Sequence, residues 1–472
     1  MFTFVKYGTL FSFLFSALLL ITVLSREESE FIDRTETSAS TDLTEQEIGH
    51  FINLVTRNEE SVATQAIIYI DNNWKPGYEV MLLESIYFSL NGKHSAKLIH
   101  LLERKTGKAY GADLDKWFEW LWNRPATFSP AYFEFKAQLH QLIDPRFYKY
   151  FSERHSTARI RLDEVRWGGV LQDGIPPLRN PKMIAADGAY YLNDDDVVFG
   201  IEVNGDARAY PKRILAWHEM FVDTVGDTPV AGVYCTLCGT VILYKTDHKG
   251  VRHSMGTSGF LYRSNKLMYD KETQSLWSTL EGEPVIGPLA GKGIQLDYLS
   301  VVTTTWGEWK KRQPKTTVLS LDTGHRRDYS EGAAYRDYFA TDELMFGVPK
   351  TDNSLKNKAE ILAIRLQNKT SENLAISSRF LAKNPIYHSR LGNTNFTVFT
   401  DRTGAHRVFD TAALEFKTYD GRSKAQDTQG GKWILSENEL VSESGQSLKR
   451  IPTFNAFWFG YKAAFPDVQL IK

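Results

Sequence analysis

Between Val198 and Pro466 the chain repeats one pattern, and a repeat of that length points to two related lobes. Val198-Phe199-Gly200-Ile201 parallels Ile361-Leu362-Ala363-Ile364, and Arg213-Ile214-Leu215 parallels Arg379-Phe380-Leu381. Val233-Tyr234 matches Val398-Phe399, Gly239 matches Gly404, and Trp277 matches Trp433. Trp306, Trp309 and Pro314 then correspond to Trp458, Tyr461 and Pro466, at an offset that shrinks through loop deletion after the Gly239/Gly404 turn. The apolar framework recurs but the chemistry does not. Where the first copy has His218, Cys235 and Cys238, the second has Asn384, Thr400 and Thr403. A working lobe leaning on a scaffold lobe is the expectation. Arg213 and Arg379 occur in both copies, which favours a shared structural ion pair over an anion site.

With 472 residues, 42% of them hydrophobic and 24% charged, the chain has the material for a full core and several domains. Its 56 Lys+Arg and 57 Asp+Glu leave a net charge of −1, so no basic footprint points to nucleic acid. Two cysteines in the whole chain exclude a disulfide-stapled scaffold. Beyond Val197 the texture is of short strands. Val197–Val203, Asn204-Gly205 and Ala207–Tyr210 read as a hairpin closed by its Asn-Gly turn.

The start of the chain bears on compartment. Lys6 and the amino terminus precede an uncharged apolar stretch, Gly8 to Leu24, slightly shorter than the roughly 20 residues of a membrane-spanning helix. A cleaved signal and an uncleaved anchor fit equally within residues 1–25. Either puts the body outside the cytoplasm, in the periplasm or cell envelope, with a membrane tether as the alternative to release. Residues 26–47, polar and acidic, read as a flexible tether.

From Ile48 to His155 the apolar period is helical. Leu83, Ile86, Tyr87 and Leu90 share a face, as do Leu114, Trp117, Phe118 and Leu121, with Asp113 as N-cap and Gly107 and Gly111 as punctuation. The run Thr106 to Asp113, followed by Trp117, Trp120 and Trp122, is similar to a segment of HEAT-type helical repeats, which implies a surface for a protein partner. Packing accounts for these tryptophans better than a ligand site does. The expected class is α+β: a helical front over 48–155, a β-rich lobe over 156–345, and a degenerate β-rich lobe over 346–472.

The chemistry concentrates in Cys235-Thr236-Leu237-Cys238-Gly239, flanked by strand-like Val230–Tyr234 and Val241–Tyr244. A Cys-x-x-Cys opening a helix would be a redox thiol pair. Between strands, with Gly supplying a positive φ, it has the form of a metal knuckle. A knuckle supplies two ligands, so His218 is the third candidate and Met268 the fourth, ahead of His253 and Met255. Two thiolates with His and Met suit copper; two thiolates, His and water suit zinc. Trp217 and Glu219 would wall and support the site. Ser258, Tyr262, Asp270 and Trp277 would line a neighbouring cleft, though turn hydrogen bonding explains the hydroxyls better than nucleophilic catalysis. No Walker loop, dinucleotide fingerprint or His-Glu-x-x-His motif occurs, so no organic cofactor is expected.

Asp173–Leu178, Ala207–Pro211, Trp217-His218-Glu219, Tyr234–Thr240, Ser258–Tyr262, Met268-Tyr269-Asp270, Ser275–Trp277 and Thr304–Trp306 follow in an order and spacing that resembles the bacterial domain-of-unknown-function family 3179. The resemblance runs from about Trp167 to the C-terminus, leaves out the helical front, and implies no settled activity. Three functions remain open: a transition-metal site for binding or metal-assisted chemistry, an extracytoplasmic thiol–disulfide oxidoreductase with Cys235 attacking, and a non-enzymatic envelope binding module. Neither substrate nor enzymatic status follows from the residues.

Overall fold

The structure is a computed structural model that describes residues 45–56, 59–89, 94–125, 130–152, 157–366 and 372–472. The apolar start and nearly all of the acidic tether lie outside the described residues. Helix Glu45–Thr56 already begins within the stretch read as tether. Among the described residues no helix is long and apolar enough to cross a membrane.

The front is built from helices Glu45–Thr56, Glu60–Asn72, Tyr78–Phe88, Ser95–Thr106, Leu114–Trp122 and Pro130–Gln141. Asp113 caps Leu114–Trp122 by accepting from the Lys116 amide at 3.1 Å, and Gly107 closes Ser95–Thr106 at φ 70°. Trp117, Phe118, Leu121 and Trp122 are buried, and Trp122 Nε1 donates to the Asp163 carbonyl at 3.0 Å. These tryptophans are packing residues, as the helical spacing implies.

The front does not keep a core to itself. Phe147, Tyr150 and Phe151 surround Phe260 of the strand Met255–Tyr262, with Phe147 edge-on at 4.8 Å. One apolar cluster runs from Phe51 through these rings to Leu276 and Ile286 of the body. Each such aromatic pair adds about 0.5–1.5 kcal/mol beyond area burial, so front and body are held as one.

The β-rich body has one topology used twice. In the first half Val197–Val203 pairs antiparallel with Asp206–Pro211 across Asn204-Gly205, whose φ values of 49° and 82° are those of a tight hairpin turn. Val302–Thr305 adds antiparallel to the first strand, and Thr317–Leu319 adds parallel to the second. In the second half Glu360–Arg365 pairs with Asn373–Ser377, flanked antiparallel by Thr453–Phe457 and parallel by Gln469–Ile471. Helices Lys212–His218 and Trp306–Arg312 of the first half stand where Ser378–Lys383 and Trp458–Ala464 stand in the second. Gly200 is required because a Cβ there would lie 2.4 Å from the Trp309 ring; the second half has Ala363 and the smaller Tyr461 at the matching positions.

The three strands that follow each first helix also correspond: Met220–Val225, Thr228–Cys235 and Thr240–Lys245 to Ile386–Leu391, Thr394–Thr400 and His406–Asp410. Trp277 and Trp433 each lie on the third strand of the next meander. The halves interlock reciprocally. Thr453–Phe457 runs beside Thr240–Lys245, and the Phe457 amide donates to the Cys238 carbonyl at 2.7 Å. In return Val302–Thr305 runs beside His406–Asp410, and Thr304 Oγ1 lies 3.2 Å from Thr403 Oγ1. Each half's strand-to-helix junction therefore closes the other's turn. Among the described residues, the ion pair expected for both arginines forms at Arg213, with Asp196 and with Glu331 at 3.2 Å, and not at Arg379, which is exposed.

Candidate functional site

Strand Thr228–Cys235 ends at Cys235, opposite Thr240, and the chain reverses through Thr236-Leu237-Cys238-Gly239. Gly239 is at φ 60°, and a Cβ there would meet the Phe457 ring at 2.8 Å. Both the turn and the close approach of the second lobe therefore need glycine. The strands on either side and the positive φ are as the sequence predicts. Cys235 and Cys238 are joined in a disulfide, with Cα atoms 5.5 Å apart. Their relative exposures of 2% and 1% put both sulfurs out of direct reach of solvent.

A polar corner adjoins this turn. Glu219 caps helix Lys212–His218 in the left-handed region, at φ 54°, its amide donating to the Leu215 carbonyl at 2.7 Å. That conformation turns its side chain inward. Oε1 accepts from Thr236 Oγ1 at 2.8 Å and from the Tyr335 hydroxyl at 3.0 Å, while Oε2 pairs with Lys266 Nζ at 3.0 Å. Glu219 and Lys266 are both buried. Burial lowers the Lys266 pKa, and the Glu219 carboxylate works against that shift. Burial, reinforced by Glu219, pushes the Tyr335 phenol far up, so it remains a donor. One residue between the two cysteines is thus tied to a dry acid–base pair.

A cover completes the site. Tyr338 of helix Arg336–Ala340 donates from its hydroxyl to the Leu237 carbonyl at 2.6 Å. It clusters with Cys235, Leu237, Cys238, Val348 and Phe459. Gly460 approaches from the second lobe so closely that a Cβ would lie 2.8 Å from Cys238 Cβ.

The expected metal constellation is not assembled. Cys235 and Cys238 spend their sulfurs on each other. His218 is fully buried with both nitrogens engaged, Nδ1 with the Pro176 carbonyl at 2.9 Å and Nε2 with the Tyr329 hydroxyl at 2.6 Å. A carbonyl only accepts, so Nδ1 carries the proton and Nε2 accepts from Tyr329. Burial holds this imidazole neutral, its pKa down at about 4. Met268 lies in the core opposite Trp277, in a cluster that also holds Met255 and is apart from the cysteines. Among the described residues no group of three or more His, Cys, Asp or Glu is disposed to hold a metal.

The other candidates have structural partners. Glu219 serves Lys266 and Thr236 rather than His218, and Trp217 Nε1 donates to the Asp328 carbonyl at 2.6 Å. Ser258 lies within strand Met255–Tyr262 rather than in a turn, and its hydroxyl is spent on backbone groups, donating to the Leu267 carbonyl at 2.6 Å and accepting from the Phe260 amide at 3.0 Å. Asp270 binds His253 Nδ1 at 2.9 Å, and the His253 ring lies 5.0 Å from Trp277. Tyr262 is half-buried against the front, its phenol pushed up first by burial and then by Glu164. Lys266, Thr236, Tyr335 and Tyr338 were not singled out from the sequence. Lys266 follows the polar Arg263-Ser264-Asn265 and precedes the apolar run Leu267-Met268-Tyr269, so nothing local marks it as a buried charge.

No curated protein and no solved structure matches the chain. The family described as protein of unknown function (DUF3179) matches residues 172–468, which include the disulfide, the Glu219–Lys266 pair and most of both β lobes. Since that match covers more than half of the chain, the protein belongs to the DUF3179 family.

Proposed function

We propose that this protein carries a redox-active disulfide, Cys235–Cys238, which exchanges with thiols outside the cytoplasm. The observation that carries the reading is that the turn between its only two cysteines is wired, through Thr236, to the buried Glu219–Lys266 pair. A staple is the competing role for such a bond. Cross-linking residues three apart removes little entropy from the unfolded chain, so stability alone gives weak reason for it.

The chemistry balances as thiol–disulfide exchange. A substrate thiolate attacks one sulfur, the Cys235–Cys238 bond breaks, and the other cysteine leaves as a thiolate that takes up a proton. A second substrate thiolate resolves the mixed disulfide. Two thiols are oxidised to a disulfide, and the cysteine pair is reduced by two electrons and two protons. Glu219 and Lys266 provide a carboxylate and an ammonium beside the turn for those protons, and Cys235 attacks in the reverse direction. Entry requires Tyr338 to release the Leu237 carbonyl, because the sulfurs are covered.

The extracytoplasmic setting rests on the charged, then apolar, start of the chain and on a disulfide that a reducing cytosol would not preserve. A zinc or copper site on the reduced cysteines would have to recruit ligands other than His218, whose ring nitrogens are already engaged. Metal analysis of the reduced protein tests that alternative.

Equilibration in glutathione buffers followed by thiol alkylation reads the proposal. The pair should titrate as one two-electron couple between about −120 and −270 mV, the range of exchange proteins. A pair still oxidised below about −300 mV is a structural link, and that result overturns the reading.

A further inference from the structure

A second site lies beside helix Lys212–His218, where Arg213 of that helix faces the stretch 321–330. An open cleft of about 790 Å³ is lined there by Tyr191, Arg213, His325, Arg326, Arg327 and Tyr329, among others. Its wall is the stretch 321–330, which has no regular secondary structure but is firmly tied. Tyr329 donates to His218 Nε2 at 2.6 Å and receives Thr323 Oγ1 at 2.7 Å, while the His325 amide donates to Thr323 Oγ1 at 3.2 Å. Trp217 holds the Asp328 carbonyl, and the Arg327 guanidinium lies 5.9 Å from the Trp217 ring. The buried imidazole is thus the post on which this wall hangs.

The charges in the cleft are unevenly matched. Arg213 is balanced by Asp196 and Glu331, and the Asp328 carboxylate accepts from the Ser330 amide at 2.9 Å within its own turn. Arg326 is exposed and, among the described residues, pairs with no carboxylate. Arg327 follows it, its Nη1 donating to the Arg326 carbonyl at 3.1 Å. Arg326, Arg327 and His325 line the cleft together, so it presents cationic side chains to a planar or tetrahedral oxyanion, and Tyr191 and Tyr329 also line it and offer an apolar wall for an organic body. We propose that this cleft binds a small oxyanion, the phosphate or carboxylate group of an organic molecule, on Arg326, Arg327 and His325.

Calorimetric titration of the full chain with phenyl phosphate, inorganic phosphate and succinate tests this. At least one should bind, and more weakly as salt rises. R326Q and R327Q should each weaken it at least ten-fold, whereas R326K and R327K should keep most of it. Binding of phenyl phosphate alone, or with inorganic phosphate, assigns a phosphoryl group; binding of succinate alone assigns a carboxylate. No binding of any probe at millimolar concentration overturns the proposal, and so does binding that survives the R326Q/R327Q double variant. Neither arginine touches the cysteine turn, so the reduction potential of Cys235–Cys238 should be unchanged in these variants, and the two readings fail separately.

Discussion

Glu219 occupies a backbone conformation that costs a non-glycine residue about 1–2 kcal/mol, and its side chain explains why it is kept there. From that position one carboxylate reaches Thr236, Tyr335 and Lys266, while the backbone carbonyl of the same residue accepts from the Tyr234 amide at 2.9 Å. Removing the carboxylate leaves the Lys266 ammonium buried without a counter-charge. E219Q should therefore cost about 3–5 kcal/mol in urea unfolding, as expected for a broken buried pair. The double variant E219Q/K266M should cost less than the two single changes added together, because it removes both charges. A cost below about 1 kcal/mol in the single variant would mean that water reaches the pair.

Helix Lys212–His218 has only two turns, yet it positions both candidate sites, because its last residue faces the 321–330 wall and its cap faces the cysteine turn. His218 is held neutral by burial with its pKa at about 4, below the ordinary value near 6.5 of the unfolded chain. A lowered folded-state pKa contributes stability that is present in full above pH 6.5 and is lost as the pH falls toward 4. At about 1.4 kcal/mol per pKa unit, this residue alone should remove about 2 kcal/mol between pH 7 and pH 5. Burial shifts His406 and His140 in the same direction, so H218Q should flatten the pH dependence of the urea midpoint without abolishing it. An unchanged slope in H218Q would show that the imidazole is not the group being protonated.

The two lobes are joined by more than apolar packing. Glu437 of the second lobe accepts from Arg407 at 2.7 Å and Arg450 at 2.8 Å, both of its own lobe, and from Arg312 of the first lobe at 2.9 Å. Burial alone would raise its pKa, but the three guanidiniums hold it well below the usual carboxylate range. E437Q leaves three buried arginines short of a charge and should cost about 3–5 kcal/mol. Because Arg312 crosses between lobes, calorimetry should resolve one transition in the native chain and two in E437Q. A single transition with a loss below about 1 kcal/mol would assign lobe coupling to the apolar contacts alone.

The sequence alone determined the parts whose cause is local or periodic. The Asn204-Gly205 hairpin, the Asp113 cap, the strand character around Cys235 and the positive φ of Gly239 follow from single residues with strong conformational preferences. The duplication was legible because an apolar framework survives drift when both copies must fill the same core. What His218 does was not legible. Its loss from the second copy together with the cysteines suggested a shared ion, yet it is tied to Pro176 and Tyr329, far apart from it in the chain. Likewise the Glu219–Lys266 pair, the Tyr338 cover and the arginine cleft join residues from separate loops and strands. No periodicity records which loops meet; only folding brings them within hydrogen-bonding distance, so the chemistry of each site was settled by tertiary contacts.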